Sequence, residues 1–171
     1  ELRSAFHAAL DYPGPVYIRI GKKGEPVVHE AEPNFEIGKA LRLREGKEVS
    51  ILALGNTLPL AVEAATQLES RGVSCGVASM GSLKPLDTKL LGDVFTSAKV
   101  VATLEEHSVL GGLGTAVSEW LAVSSGPAKA RLLTFGTPDE FLHATTHQPS
   151  AREWAGLTVE GITGRILSAL G

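Results

Sequence analysis

One short segment of this chain holds the residue types best suited to chemistry. Glu105, Glu106 and His107 follow an apolar run at 98–104, and a glycine-rich stretch and an amphipathic run to Val123 come next. Ligands of open α/β sheets bind at the carboxyl ends of the strands, which is where these three residues fall if the apolar run is a strand. Side chains alternate sides along an extended chain, so the adjacent glutamates are a poor acid/base pair on their own.

His107 can donate a hydrogen bond to a substrate or to a neighbouring protein chain. For the isolated domain, a solvated or capping histidine is the favoured interpretation. The glycines Gly111, Gly112 and Gly114 also admit two interpretations. N–H groups at a helix start attract anions, so this loop can bind an anion or a nucleotide. The spacing matches neither the dinucleotide fingerprint nor a P-loop. The favoured interpretation is therefore that the glycines only make room for a tight strand-to-helix crossing.

Other residues give weaker signals for chemistry. The remaining histidines lack the spacing of metal ligands, and no serine lies in a nucleophile elbow, so no metal ligand and no catalytic residue is predicted. His143 and His147 are four apart, but a helix through them is doubtful so close to Pro149. Arg19 and Lys22 can bind a phosphate or carboxylate, although on spacing alone a solvated linker is favoured.

Composition excludes several classes of protein. The net charge of −3 over 171 residues gives no electrostatic reason to expect nucleic acid or an anionic membrane as a partner. A single cysteine, Cys75, excludes an internal disulfide framework and a cysteine-based zinc site. No signal peptide and no apolar stretch of membrane-spanning length is evident, so we expect a cytoplasmic protein. The chain begins at Glu1 without a methionine, and we expect a fragment of a longer protein.

The order of apolar patterns predicts two parts. Residues 1–34 are interpreted as the last helix and strand of a preceding domain, with the strand at Val16–Ile20, followed by a linker. Residues 35–171 are interpreted as a second domain in which strands and helices alternate, which implies a largely parallel sheet covered on both faces. The predicted strands are Ala40–Arg44, Glu48–Leu54, Val73–Met80, 98–104 and Arg131–Phe135. The predicted helix caps are Asn56 or Thr57, Asp87 and Thr158.

Several segments in series resemble one known family. The run from Gly14 to Lys22 is similar to the end of the pyrimidine-binding domain of transketolase-type enzymes. Residues 81–87 and 105–114 resemble the lysine-proline-leucine-aspartate and the glutamate-glutamate-histidine, glycine-glycine-x-glycine segments of 1-deoxy-D-xylulose-5-phosphate synthases. Residues 135–139 and 157–162 resemble the closing strand and last helix of the family. The match runs over nearly the whole chain, in order.

The resemblance implies a transketolase C-terminal domain, an α/β three-layer sandwich with a mostly parallel five-stranded sheet. One strand runs antiparallel, and Ala40–Arg44 is the natural candidate. The full enzyme would transfer ketol or aldehyde groups with thiamin diphosphate and a divalent metal, both bound by other domains. This chain would bind neither and would be inactive alone. Its expected role is to support dimerisation and shape the substrate channel, as part of a homodimer or together with a separate thiamin diphosphate-binding subunit.

The resemblance also assigns roles to single residues. By alignment, Lys22 takes the place of an arginine that holds the substrate phosphate in the family, and Arg19 matches a second arginine. A lysine lacks the bidentate fork of arginine, so a less phosphorylated substrate or a different one stays open. Glu106 and His107 are expected at the rim of the channel or of an interface. Two alternatives remain open: a regulatory anion- or nucleotide-binding module, and a docking domain such as that of the beta chains of 2-oxoacid dehydrogenases.

Overall fold

The computed structural model describes residues 1–21, 24–143 and 145–171. The described part contains one five-stranded sheet, and its strands are β1 Leu41–Arg44, β2 Val49–Ala53, β3 Cys75–Ser79, β4 Val100–Ser108 and β5 Arg131–Thr137. Its α-helices are α1 Leu2–Asp11, α2 Leu58–Ser70, α3 Thr88–Ser97, α4 Leu113–Val123, α5 Gln148–Trp154 and α6 Val159–Leu170, and a 3-10 turn, Gly55–Thr57, precedes α2.

The sheet has the strand order β1-β3-β2-β4-β5. All its pairs are parallel except β1 with β3, which is antiparallel. This mixed five-stranded sheet confirms the predicted fold class, and the antiparallel strand is the one expected from the segment Ala40–Arg44. Because parallel neighbours require crossover connections, helices lie between successive strands of the parallel part.

The core is divided by the sheet into two layers. On one face, α2 and α6 pack on residues such as Ile51, Val77 and Leu104. On the other face, α3 and α4 pack on Leu52 and Val101. Neighbouring residues of β2 therefore enter opposite layers, as the two-residue period of a strand requires. The result is the three-layer arrangement that the resemblance implied.

Two predicted helix caps have the expected geometry, and one does not. Asp87 accepts a hydrogen bond from the Leu90 amide at 3.0 Å, and Thr158 accepts one from the Gly161 amide at 3.0 Å. Thr57 lies at the start of α2, but its hydroxyl donates to the carbonyl oxygens of Leu54 and Leu104 instead. The prediction of a side-chain cap at Asn56 or Thr57 is wrong. The buried Thr57 hydroxyl needs an acceptor, and these carbonyls lie within its reach, while the Asn56 side-chain amide donates to Glu106.

The N-terminal residues differ from the prediction in one respect. The helix α1 is present, but the predicted strand at Val16–Ile20 is not, and this segment is irregular. A strand needs a neighbour to form its hydrogen bonds, and no described strand lies beside this segment. Helix α1 is tied to the sheet by Glu1, whose carboxylate accepts from the Ser79 hydroxyl at 2.9 Å and lies 2.5 Å from His29 Nε2.

Candidate functional site

The carboxyl end of β4 carries a bulge. Strands β4 and β5 lose their register between Leu104 and Ser108. Three β4 residues, the two adjacent glutamates and His107, lie there opposite a single residue of β5, Gly136. A Cβ at Gly136 would lie 2.7 Å from the His107 carbonyl oxygen, so glycine is what lets the bulged strand come close. Bulges of this kind change the direction of side chains at strand ends, and the acidic segment is thus part of β4 rather than a turn after it.

Glu105 faces the start of α4. Its side chain is buried, with a residue exposure of 1%. One carboxylate oxygen accepts from the Leu113 amide at 2.7 Å and the other from the Gly114 amide at 2.8 Å. These are first-turn amides, which have no partner within the helix. A buried carboxylate of the chain itself therefore satisfies the helix N-terminus and complements its dipole.

The glycines allow this close approach. A Cβ at Gly112 would overlap the Glu105 carboxylate, and one at Gly114 would lie 2.9 Å from a methyl carbon of Thr134. The Gly111 amide donates to the Thr115 hydroxyl at 2.9 Å. The structure thus supports the interpretation that Gly112 and Gly114 make room for the crossing of strand and helix, whereas Gly111 has open space around it and a positive φ of 81° that favours glycine. Binding of an external anion at Gly111, Gly112 and Gly114 stays a prediction, and it would have to compete with Glu105.

Glu106 points to the opposite side of β4. The Gln148 side-chain amide donates to both of its oxygens at 2.8 Å, and Arg152 Nε donates to one of them at 2.8 Å. The Asn56 side-chain amide is a further donor, and Arg152 Nη2 also donates to the Asn56 carbonyl at 3.4 Å. One carboxylate therefore joins three parts of the chain: the bulge, the 3-10 turn after β2, and helix α5.

The surroundings of Glu106 favour its ionised form. Burial raises the pKa of this carboxyl, but the hydrogen bonds from Asn56, Gln148 and Arg152 outweigh that effect, and together with the Arg152 charge they lower the pKa below its usual value. The side chains of Glu106 and Arg152 are each 25% exposed, so the ion pair is only partly protected from solvent. The group is a stable anion at neutral pH and is poorly suited to supply a proton.

His107 is exposed at the tip of the bulge, and its Nδ1 lies 2.9 Å from the Ser108 carbonyl oxygen. A carbonyl oxygen can only accept, so this contact requires a proton on Nδ1 and leaves Nε2 for another partner. The side chain is free to meet a ligand or a neighbouring chain. Its role at a channel or interface rim stays a prediction, like that of Glu106.

The two cationic candidates lie in the N-terminal part. Arg19 is exposed within the irregular segment after α1. Lys22 lies outside the described residues, so the structure does not describe its surroundings. Substrate binding by Arg19 and Lys22 therefore stays a prediction.

The partners of Glu106 are not predicted from the sequence. Asn56 is expected only as a helix cap, and Gln148 and Arg152 lie on α5, a helix that the sequence analysis does not predict. Pro149 occupies the first turn of α5, where a missing N–H costs nothing because first-turn amides have no helical acceptor. Proline within a first helical turn is thus the signal that could have found this helix.

The described residues do not fit the metal and diphosphate group that the resemblance implies for the full enzyme. Among them, no group of three or more histidine, cysteine, aspartate or glutamate side chains could hold a metal ion. The helix start at the carboxyl edge is occupied by Glu105. No reaction step through that group is therefore assigned to this chain. Within the same residues, none of the helices has the length and apolar character that crossing a membrane requires.

Comparison with known proteins gives one consistent family. The profile of the transketolase C-terminal domain matches residues 38–162. The chain is 40% identical over 169 residues to the 1-deoxy-D-xylulose-5-phosphate synthase of Chlorobium luteolum, and the match covers 97% of this chain and 26% of the relative. It is 36% identical over 164 residues to one of the subunits of the apulose-4-phosphate transketolase of Phocaeicola vulgatus, covering 95% of this chain and 51% of the relative.

A solved structure has the same fold. It is described as a split gene transketolase in an inactive beta4 tetramer, with a TM-score of 0.89 and 39% identity to this chain. The superposition covers 98% of this chain and 54% of that one. The chain thus spans between about a quarter and a half of the length of these relatives.

Proposed function

The chain belongs to the transketolase C-terminal domain family, and from that premise we propose that it is the C-terminal portion of a thiamin diphosphate-dependent enzyme of the ketol- or aldehyde-transferring type. The observation that carries this proposal is the similarity, over 95% of this chain, to one subunit of an apulose-4-phosphate transketolase. That relative and the split gene transketolase are about twice as long as the matched region. A subunit with a further domain, working together with a second polypeptide, is therefore the arrangement that we propose.

In this arrangement the described sheet is a supporting domain. Thiamin diphosphate supplies the chemistry that stabilises a carbanion, and other domains bind it together with a divalent metal. Residues 35–171 support the dimer or the contact with a separate thiamin diphosphate-binding subunit. Glu106 and His107 lie at the rim of the substrate channel or of that contact, because both lie at the carboxyl edge of the parallel strands. The full enzyme acts on a small molecule in the cytoplasm.

The N-terminal residues support a neighbouring domain. Helix α1 has no buried residue, and Leu2, Phe6 and Leu10, which recur along one face, are 54–69% exposed. An apolar stripe of this kind on a helix normally packs against another surface. We propose that residues 1–34 are the tail of a pyrimidine-binding domain, and that the rest of this domain covers the stripe and gives the segment Val16–Ile20 its missing strand neighbours.

The first experiment assays the isolated chain. Purified chain is mixed with thiamin diphosphate, magnesium, a ketose phosphate donor and an aldose acceptor, and product is followed by mass spectrometry. We expect no turnover above a blank, because the described residues contain no fitting cofactor site. Turnover by the chain alone would contradict the proposal.

The second experiment restores the missing part. The coding sequence upstream of this chain is expressed together with it, and the joined or co-purified protein is assayed in the same way. Ketol transfer in the combined protein supports the proposal, and a thiamin-free, inactive combination contradicts it. In an active combination, Lys22→Ala and Arg19→Ala are expected to raise KM for a phosphorylated donor more than for its unphosphorylated analogue, with Lys23→Ala as the matched control.

A further inference from the structure

Helix α5 and its flanks lie at the carboxyl edge of the sheet with little packing. We call residues 145–156 the α5 arm. No residue of this arm is buried, whereas Leu157, which follows it directly, is almost fully buried in the core. The backbone hydrogen bonds of the arm are local, such as the Ala155 amide with the Ala151 carbonyl at 3.0 Å. A segment with so few buried apolar contacts has little stability of its own.

The side chains of the arm converge on one group. Among the described residues, every side-chain hydrogen bond from the arm to another element ends on Glu106 or Asn56. Three of these bonds end on the Glu106 carboxylate, and hydrogen bonds to a charged acceptor are the stronger kind. A helix of seven residues is also too short to persist without tertiary support.

From this arrangement we infer that Glu106 is the main anchor of the α5 arm, with Arg152 and Gln148 as positioning residues that fix both the arm and the β4 bulge carrying His107. Arg152 and Gln148 act through Glu106, since neither has a described hydrogen bond to His107. The arm and the bulge therefore move as one unit when the anchor is intact and separately when it is broken. That the arm and the bulge form the rim of a channel or interface rests on the proposed function, whereas the coupling between the arm and the bulge does not.

The test measures local opening in the 171-residue chain. Hydrogen exchange with mass spectrometry is compared between the wild-type chain and Glu106→Gln, Arg152→Ala and Gln148→Ala. Exchange of the arm amides is expected to rise about three- to fivefold in Glu106→Gln and Arg152→Ala, and less in Gln148→Ala. Alanine is the best helix former, so faster exchange in the alanine variants cannot come from lost helix propensity.

The matched control is Glu153→Ala. Glu153 is an exposed residue of the same helix, and it has no described hydrogen bond to Glu106 or Asn56. It lies near the negative end of the helix dipole, so its removal is expected to leave exchange unchanged or to slow it. Exchange of β2 and β3 is expected to stay unchanged in all four variants, which separates local release from general destabilisation.

The coupling to the bulge needs a second measurement. The imidazole resonances of His107 are expected to shift in Arg152→Ala, although Arg152 has no described hydrogen bond to the ring, and to stay in place in Glu153→Ala. Arg152→Lys keeps one charged donor and is expected to restore part of both effects. Unchanged arm exchange in Glu106→Gln, equal acceleration throughout the sheet, or an unmoved His107 resonance would each overturn the inference. None of these measurements depends on ketol transfer, so they test the coupling even if the proposed function is wrong.

Discussion

Glu105 and Glu106 are neighbours of the same type, yet they belong to different kinds of structure. Glu105 is buried and binds two backbone amides at the start of α4. Glu106 is partly exposed and binds side chains from α5 and the 3-10 turn. Because side chains alternate along a strand, the two carboxylates lie on opposite sides of β4. Glu105 accepts from backbone amides, whose positions are fixed by the fold, so its contact is part of the fold. Glu106 accepts from side chains, which can change conformation, so its contact can break while the sheet stays folded.

The largest expected effect is at Glu105. Glu105→Ala removes the acceptor of two buried amides that have no helical partner, and we expect the free energy of unfolding to fall by about 3–5 kcal/mol. Urea unfolding followed by circular dichroism measures this loss. The control is Glu119→Ala on the exposed face of the same helix, for which a change within about 0.5 kcal/mol is expected. A loss at Glu105 no larger than that at Glu119 would remove the distinction between the two glutamates.

Gly112 tests the same region by sterics. Its φ of −103° suits any residue, so Gly112→Ala acts only through the methyl group, which would overlap the Glu105 carboxylate. We expect a loss of about 2–3 kcal/mol in the free energy of unfolding. In Gly92→Ala, a change inside α3 where the new methyl group meets nothing within 4 Å, we expect a gain of about 0.5–1 kcal/mol. Thermal melts of both variants measure these changes, and a change in stability of the same sign in Gly112→Ala and Gly92→Ala would contradict the prediction.

Asp87 sharpens the comparison with an intermediate case. It accepts from the Leu90 and Ala40 amides at 3.0 Å each, but it is less buried than Glu105. Burial raises its pKa, and these backbone hydrogen bonds outweigh that effect and lower it. We expect Asp87→Ala to cost about 1–2 kcal/mol in urea unfolding and Asp87→Asn to recover most of the loss. A cost above that of Glu105→Ala would show that burial is not the deciding variable.

The smallest effect concerns pH and Glu106. Its folded-state pKa is lowered below the ordinary value of 4.5, so its contribution to stability is complete above that value and is lost as the pH falls through the folded-state pKa. The free energy of unfolding of the wild-type chain should exceed that of Glu106→Gln by about 1 kcal/mol or less at neutral pH. The gap should close only below about pH 4.5. Urea titrations across the acid range would refute this if the gap opened on acidification.

Much of the fold was accessible from the sequence because each element has a local signal. Apolar periodicity located the helices around Leu58 and Ile162, and Asp87 and Thr158 marked two helix starts. The prediction of a strand at Val16–Ile20 was wrong because an apolar, β-type sequence forms a strand only when a neighbouring strand pairs with it. Helix α5 was not predicted, because its seven residues carry no clear apolar period; the doubt about a helix joining His143 and His147 agrees with the described residues there, which are not helical.

The candidate site was only half accessible. Alternation along β4 correctly separated Glu105 from Glu106, and the glycines were rightly interpreted as space for the strand-to-helix crossing. The partners of Glu106 lie about 40–50 residues away in sequence, and neither spacing nor periodicity signals such a contact. The bulge in β4 could not be predicted from the sequence either, because it arises from the register between β4 and β5 and not from the residues of one strand alone.

The layered arrangement has a consequence for synthesis on the ribosome. The layer under α3 and α4 draws its buried side chains from residues that precede Ser118. The opposite layer needs Leu157, Ile162 and Ile166 from the last stretch of the chain. Since domains emerge N-terminus first, the first layer has all its fully buried side chains while the second still lacks α6, which packs beside β4 and β5. We expect the nascent chain to expose Leu104 and Phe135 on this face until residues 157–166 have emerged, and chaperones to matter most during that interval.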